Sequence, residues 1–183
     1  MACFDEAGFD ATTIAQITQR AEVARRTFFR YFPTKEAVLF SDFTTRQDHI
    51  LELIGARPIG ESPLESVISA LREMSITPPD ARRVRRIQRI VRASPSLLER
   101  ERTLVQYGFA DRLTAHVADR LQAAGAQQLS TLQLRVTIGS ALLCYESAVM
   151  AHIVGGTGPL TVIFDEAVAA CRDAWAAQGV AMA

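Results

Sequence analysis

The sequence lacks the features that would place it outside the ordinary globular proteins. Its 183 residues carry 20 basic and 20 acidic side chains, so the formal net charge is zero, and 49% of the residues are hydrophobic. Disordered chains combine low hydrophobicity with high net charge, and this composition excludes that class. Because the total charge cancels, attraction to a charged partner has to come from where the charges are placed along the chain.

Cysteine is scarce and signal-like patterns are missing. The three cysteines, Cys3, Cys144 and Cys171, are scattered along the chain. An odd, scattered number of thiols argues against a disulfide framework and favours a reducing compartment. The first ten residues contain acids but no basic residue, so they do not read as a signal peptide. We therefore expect a cytoplasmic protein.

Long uninterrupted hydrophobic runs are also missing. The longest apolar stretch, residues 136–154, is interrupted by Glu146 and His152 and is diluted by hydroxyl side chains. A membrane-spanning helix needs about 20 predominantly apolar residues, so this stretch is at the limit. We expect it to be a buried helix, with no membrane as partner.

Turn signals and apolar spacing predict helices throughout. We find no run of alternating β-branched residues between turn signals and no repeat of fixed period. The fold class is therefore all-α, with about nine helices, one of them running from Ser96 to about Ala124. We expect a small N-terminal unit over residues 1–55 and an antiparallel helical bundle over residues 56–183, joined by the proline- and glycine-containing stretch 57–63.

Residues 23–32, VARRTFFRYF, alternate aromatic rings with arginines on a very short predicted helix. Phe28 and Phe32 lie four residues apart and share a face with Val23, which predicts that this face packs inward. The three arginines fall on other faces, where a nucleic-acid groove is able to receive them.

The charge of this region is strongly localised. From Arg20 to Lys35 there are five basic residues and one acid, for a net charge of +4 in a neutral chain. Two short helices joined by a tight turn, the second of them basic at its start, form the pattern of a helix-turn-helix. A solvated basic face on a core helix is the alternative interpretation.

The stretch GFDATTIAQITQRAEVARRTFFRYFPTKEAVLF, residues 8–40, resembles the DNA-binding signature of the TetR family of bacterial regulators. The positions in register are Gly8, Phe9, Thr13, Ile17, Val23, Thr27, Tyr31, Phe32, Lys35, Glu36 and Leu39. The resemblance covers about residues 3–50, and beyond residue 55 only the number and order of helices are similar. It implies an all-helical homodimer that binds an operator with its first three helices and a small molecule with its C-terminal bundle.

The resemblance also assigns roles to individual residues. The expected base contacts are Arg25, Arg26, Thr27 and Arg30, since bidentate guanidinium donors match the major-groove edge of guanine. The expected phosphate contacts are Thr13, Phe29, Tyr31 and Lys35. Phosphate contacts position a protein on DNA without reading its sequence. We read Thr34 as a helix cap.

Three positions depart from the family pattern. Glu22 stands where the family usually has glycine, in a turn that often needs a left-handed residue, at a cost of roughly 1–2 kcal/mol. Ala24 replaces the usual serine, so the following helix lacks a side-chain cap worth about 1 kcal/mol. Phe29 replaces a common tyrosine and gives up one hydrogen bond to phosphate.

The last two predicted helices are apolar almost all round, which is typical of helices buried on more than one side. Two adjacent helices of this kind suit a dimer interface, and the resemblance points the same way. The expected interface residues are Leu134, Ile138, Leu142, Tyr145, Phe164, Val168, Cys171 and Trp175.

The bundle also offers candidate ligand residues. Its apolar side chains suggest a largely hydrophobic small molecule as effector. The residues chosen for this site are Met74, Leu104, Tyr107, Phe109 and Glu146. A partly exposed or paired glutamate is the plainer interpretation of Glu146.

Six arginines lie between Arg82 and Arg92 without an acid among them. Val84, Ile87 and Val91 form the predicted buried stripe of this helix. One interpretation is that the arginines cover a solvated face and form local pairs with acids such as Glu99 and Glu101. The alternatives are that they form an anion site or that they attract DNA.

No catalytic constellation is apparent. The three histidines are far apart and lack a second ligand at helical spacing, so we expect neither a metal nor another cofactor, and no enzyme. The sequence therefore predicts a ligand-responsive DNA-binding regulator, a repressor released from a palindromic operator by a small molecule. The alternative is a dimeric small-molecule-binding or interaction protein whose DNA binding is weakened or lost.

Overall fold

The computed structural model describes residues 1–101, 108–125, 129–155 and 158–177, with the side chains of residues 175–177 left out. These residues form α-helices and no strand, which confirms the all-α prediction. The helices are α1 (Ala2–Ala7), α2 (Ile14–Arg20), α3 (Arg25–Tyr31), α4 (Ala37–Gly55), α5 (Pro63–Met74), α6 (Ala81–Arg92), α7 (Pro95–Glu101), α8 (Gly108–Ala123), α9 (Thr131–Val154) and α10 (Leu160–Ala177).

The described residues thus contain ten helices where about nine were expected. The difference arises from the stretch that was predicted as one helix from Ser96 to about Ala124. The structure describes this stretch as α7 and α8, which lie on either side of residues 102–107.

Several helices begin where their sequence supplies a capping box. Ser62 accepts a hydrogen bond from the backbone N–H of Glu65, whose carboxylate in turn accepts from the N–H of Ser62, and Pro63 opens α5. Ser130 and Gln133 repeat the arrangement at the start of α9. Each box satisfies N–H groups that a helix start would otherwise leave without a partner.

The chain divides into two compact units, of which the first comprises Met1–Gln47 and Arg82–Gly108. Its core joins α1, the following loop and the first part of α4 to α6 and α7. The buried residues are Phe4, Phe9, Leu39, Phe40, Ile87, Ile90, Val91 and Leu97. Burial of Val84, Ile87 and Val91 confirms the predicted stripe of the arginine-rich helix.

The arginines of α6 pair with acids on other helices of the first unit. Arg86 forms an ion pair with Asp5 of α1, and Arg83 lies 2.5 Å from a carboxylate oxygen of Asp42 in α4. At least two partners of this face are therefore distant in sequence, and the expected local interaction is represented by Arg92, whose charge acts on the carboxyl of Glu101. The two distant pairs help to hold α6 against α1 and α4.

The second unit comprises Asp48–Ala81 and Phe109–Ala183. Its core is formed by the second part of α4 together with α5, α8, α9 and α10. The fully buried residues include Ile54, Val67, Leu71, Leu113, Ile138, Leu160 and Phe164. This division by packing differs from the functional boundary at residue 55, which stays a prediction.

Helix α9 is also long and apolar enough to cross a membrane by length and composition alone. About a third of its most apolar window, 33%, is buried within the chain. Core helices of water-soluble proteins pass the same test, so one such helix is weak support for a membrane protein.

The C-terminal end of α4 is held by Arg120 of α8. Its guanidinium donates to the carbonyl oxygens of Ile54 and Gly55, the latter at 2.7 Å, and to that of Arg57 at 2.8 Å. The last carbonyls of a helix have no partner within the helix, and they carry partial negative charge. One side chain thus satisfies three acceptors in the second unit.

We expect Arg120→Ala to lower the free energy of unfolding by roughly 1–3 kcal/mol, because it leaves partly buried carbonyl groups without a donor. Arg112→Ala is the matched control on the same helix. It removes an exposed pair with Asp48 and should cost at most about 1 kcal/mol. Urea unfolding of both variants measures the difference. Equal losses would show that Arg120 contributes no more than a surface ion pair.

Candidate nucleic-acid interface

The first part of the helix-turn-helix is fixed by a cap on α2. Thr13 Oγ1 accepts a hydrogen bond from the N–H of Gln16 at 3.3 Å, and Gln16 Oε1 accepts from the N–H of Thr13 at 2.7 Å. The Thr13 hydroxyl also donates to the same Oε1 atom at 2.9 Å. Thr13 was expected to contact a phosphate. It is exposed, but its hydroxyl group is already engaged in the cap of α2.

The turn between α2 and α3 is a Schellman motif with glutamate at its left-handed position. Val23 N–H donates to the carbonyl of Thr18 at 3.0 Å, and Glu22 N–H donates to that of Gln19 at 3.2 Å. Such a motif needs positive φ at the residue that follows the C-cap, which is usually glycine. Glu22 has φ of 53°. The expectation of a left-handed residue here is confirmed.

The motif also explains why Val23 is not in the core. The sequence pattern placed Val23 on the inward face together with Phe28 and Phe32. In the structure Val23 lies in the turn before α3 and is exposed. That expectation was wrong because Val23 completes the Schellman motif before α3 begins. The helical spacing that aligns Phe28 and Phe32 therefore does not apply to Val23.

Ala24 is the N-cap of α3 and provides no side-chain hydrogen bond. This confirms the prediction that α3 begins without the acceptor that a serine would supply. At the next helix Thr34 acts as expected, since its Oγ1 accepts from the N–H of Ala37 at 3.3 Å.

The inner face of α3 is fixed by aromatic packing. The side chain of Phe28 is only 4% exposed. Its ring centroid lies 5.6 Å from that of Phe32 and 5.5 Å from that of Phe29, the latter with an interplanar angle of 87°. Offset and edge-on arrangements of this kind are the favourable ones for aromatic pairs.

The outer face of α3 carries the arginines. The expected base contacts Arg25, Arg26 and Arg30 are all exposed, and Thr27 is half-buried. The predicted division of this helix into an inner aromatic face and an outer guanidinium face is therefore confirmed for the three arginines.

Two of the three guanidiniums lie on aromatic rings. Arg25 Cζ lies 5.6 Å from the ring centroid of Phe29, and Arg30 Cζ lies 4.9 Å from that of Tyr31. Arg30 Nη2 also donates to the Tyr31 hydroxyl at 3.3 Å. Phe29 and Tyr31 were expected to meet phosphates, and both rings are exposed beside the arginines.

Lys35 holds the loop between α1 and α2. Its Nζ donates to the carbonyl oxygens of Phe9 at 2.7 Å and Thr12 at 2.8 Å, and it lies 4.1 Å from the centroid of the Phe9 ring. Sequence reasoning assigned Lys35 to phosphate and missed this role. Because positions 9 and 35 are far apart in sequence, no local pattern indicates this contact, and only the fold brings the two residues together.

Charged side chains around the arginine face are largely paired. Arg20 forms an ion pair with Glu6, and the hydrogen bond from Arg20 lowers the pKa of that carboxyl. Burial of the Glu36 carboxyl raises its pKa, but hydrogen bonds from its own backbone and from Thr34, together with the charge of Arg100, outweigh this effect. The pKa of Glu36 is therefore lowered. These acids are therefore ionised near neutral pH and are compensated locally.

Of the expected ligand residues, Met74, Phe109 and Glu146 are among the described residues, and their grouping into one site stays a prediction. Met74 and Phe109 are buried in the core of the second unit. Glu146 is exposed on α9, although crowding by protein atoms raises the pKa of its carboxyl. Leu104 and Tyr107 lie outside the described residues.

A cleft in the second unit has other walls. Its volume is about 260 Å³, and none of the three expected ligand residues that the structure describes lines it. The lining residues are Asp111, Thr114, Ala115, Ala118, Thr131, Leu134 and Arg135.

The expected interface residues line the inside of the second unit. Buried in its core are Leu134, Ile138, Leu142 and Phe164, with Tyr145, Val168 and Cys171 packed against them. The side chain of Trp175 lies outside the described part of the chain. The opposite, exposed surface of the same helices carries a different apolar set, Leu132, Val136, Leu143, Val154 and Val162. The first set is thus packed within the core of this chain, whereas the second set is exposed.

We expect Glu22→Gly to raise the free energy of unfolding by about 0.5–1 kcal/mol. Glycine removes the left-handed strain of roughly 1–2 kcal/mol, but it also has more freedom to lose on folding. The neighbouring Ala21→Gly is the control, because Ala21 has φ of −86° and gains nothing from glycine. Urea unfolding followed by circular dichroism distinguishes them, and a loss of stability in both variants would contradict the strain.

The N-terminal part of the chain, which contains the helix-turn-helix, is similar to known proteins. The family model described as "Bacterial regulatory proteins, tetR family" matches residues 1–41. A similar protein is the HTH-type transcriptional regulator TcmR of Streptomyces glaucescens, which is 38% identical over 65 residues. That alignment covers 36% of this chain and 29% of the relative, so less than a third of the relative's length is matched. Both matches agree with the helix-turn-helix geometry, so the N-terminal segment of the chain is similar to the DNA-binding segment of the TetR family of bacterial regulators.

Proposed function

We propose that the protein is a DNA-binding transcriptional regulator that places α3 in the major groove. The observation that carries this proposal is the outer face of α3, where three guanidiniums are exposed while Phe28 fixes the opposite face. In helix-turn-helix proteins the second helix lies in the groove and its N-terminal residues contact base edges. Arg25 and Arg26 are the first two residues of α3.

Within this proposal the arginines read bases and the surrounding groups hold the backbone. Arg26 and Arg30 lie one helical turn apart on the exposed surface, at the spacing that lets neighbouring side chains reach along one groove. Tyr31 is available for a phosphate. Lys35 has used two of its three donors on backbone carbonyls, so any phosphate contact is left to the third.

Replacing either Arg26 or Arg30 with alanine should cost roughly 1–3 kcal/mol on the cognate operator and relax the preference at one base pair. Lys35→Ala should weaken cognate and random DNA alike and lower the salt slope by about one per subunit. The measurement is a binding titration of the three variants on two DNAs at several salt concentrations. If the arginine variants lowered both DNAs equally, Arg26 and Arg30 would be phosphate clamps.

Lys35→Ala needs one further measurement, because the structure gives Lys35 a second role. Loss of its bonds to Phe9 and Thr12 should also lower the stability of the first unit. Urea unfolding of the same variant separates the two effects, and its DNA affinity is to be compared at temperatures where it remains folded.

We further propose that the protein is a homodimer whose interface includes the exposed apolar surface of α9 and α10. The exposed apolar residues of α9 are separated by about one, two and three helical turns, so they lie on one face of the helix. They are Leu132, Val136, Leu143 and Val154. An exposed apolar patch of this kind marks an interaction site. A two-fold dimer would prefer a palindromic operator with half-sites about 34–36 Å apart, or a multiple of that distance.

The variant Leu143→Glu should convert the dimer to a monomer, because it places a charge at the centre of this surface without touching the core. Leu143 is 64% exposed, so the variant should fold normally. The control is Ile59→Glu, an equally exposed apolar residue in the loop before α5. Sedimentation at micromolar concentration decides: a monomeric wild type, or a dimeric Leu143→Glu variant, would contradict the proposed interface.

The response to a small molecule completes the proposal. We propose a cytoplasmic repressor that a largely hydrophobic effector, bound in the second unit, releases from its operator. The apolar core around Met74 and Phe109 supports an apolar effector. Titrating candidate effectors into the protein–operator complex tests the response.

A second candidate function is a dimeric small-molecule-binding or interaction protein whose DNA binding is weakened. The observation in its favour is the left-handed Glu22 followed by the uncapped Ala24 directly before α3. Binding to genomic DNA fragments at two salt concentrations separates the candidates. A regulator selects particular fragments and keeps them at the higher salt, whereas weakened binding is unselective and is lost.

A further inference from the structure

The ring of Phe29 is unusual because it is exposed in the middle of a basic surface. The side chain is 42% exposed, and it lies on the outer face of α3 rather than against the core. Its edge meets the buried Phe28 ring at 5.5 Å and 87°, which fixes its orientation. The exposed part of the ring is not stabilised by burial, and it is open to a role on the surface.

The open side of that ring carries the guanidinium of Arg25. The distance of 5.6 Å from Arg25 Cζ to the ring centroid lies within the range in which a cation is attracted to an aromatic face. Arg25 and Phe29 are four residues apart, so the helix itself brings them together. Phe28, Phe29 and Arg25 thus form a continuous row of contacts that begins at a buried ring and ends at the first residue of α3.

Arg26 shows the contrast. It is equally exposed, yet it makes no ring contact, hydrogen bond or ion pair with any residue that the structure describes. Arg30 resembles Arg25, since it lies on the ring of Tyr31. A long side chain that is held before binding loses less conformational freedom when it meets DNA. The surface therefore contains two arginines that are oriented in advance and one that is not.

We infer that Phe29 is a positioning residue that orients the guanidinium of Arg25 for one guanine, and thereby sets base preference without contacting a base itself. The inference rests on the proposed DNA-binding function. It also accounts for phenylalanine at this position: the ring face holds the arginine, and this role needs no hydroxyl group.

The test begins with duplex DNA of randomised sequence, from which the wild-type chain selects a preferred site. The variants Arg25→Ala, Phe29→Leu, Phe29→Tyr and the double variant Arg25→Ala/Phe29→Leu are then titrated on that site, on each single base substitution of it, and on random DNA. Phe29→Leu keeps an apolar side chain but removes the ring. Phe29→Tyr keeps the ring.

We expect Phe29→Leu to bind the selected site roughly 3- to 10-fold more weakly, and to lose discrimination at the same base pair as Arg25→Ala. Binding of Phe29→Leu to random DNA should not change. Phe29→Tyr should keep the discrimination of the wild type, because it keeps the ring. The double variant should bind no more weakly than Arg25→Ala alone. Tyr31→Leu is the matched control: it removes the other ring and should relax a different base pair, the one read by Arg30.

Two results would overturn the inference. If Phe29→Leu lowered binding to all DNAs equally, with unchanged base preference, the ring would be a structural or backbone contact. If its effect added in full to that of Arg25→Ala, the two residues would act independently. A wild-type chain that selects no sequence at all would instead contradict the proposed DNA-binding function, so the two failures are distinguishable.

Discussion

The packing of the arginine-rich helix α6 against α1 and α4 is the contact on which the first unit depends. Helices α1, α2 and α3 have 6, 7 and 7 residues. Isolated helices shorter than about 12–15 residues are marginal in water, so these three need tertiary packing to form. Ile87, Ile90 and Val91 of α6 supply it for α1 by closing the core around Phe4 and Phe9, against which Ile17 of α2 also packs.

This dependence changes the meaning of the arginine cluster. The arginines at 83 and 86 bind Asp42 and Asp5 on the two helices that the apolar side of α6 also contacts. Exposed ion pairs contribute little energy individually, typically below about 1 kcal/mol. Their value here is geometric, because they fix the rotation of α6 about its axis while the apolar stripe provides the burial.

Helix α3 combines weak ends with a firmly held centre. It follows a strained left-handed residue, Glu22, and it begins at Ala24 without a side-chain cap. The ring of Phe28 anchors its middle, and Lys35 fixes the loop between α1 and α2. The orientation of the exposed arginines is thus governed by aromatic packing more than by the turn, and the departures from the family pattern do not prevent α3 from forming.

The sequence by itself determined the all-α class, the two short helices with their turn, the left-handed position at Glu22 and the missing cap at Ala24. These features are local, so spacing and residue type within a few positions are sufficient to predict them. The tertiary structure decided the rest. It brought Lys35 to the carbonyl of Phe9, placed α6 with the first unit, and chose which side of α9 is buried. Because α9 is apolar on every side, its periodicity gives no preference for one face. Only contact with α5 and α10 puts Leu134 and Ile138 inside the second unit and leaves Leu143 on its surface.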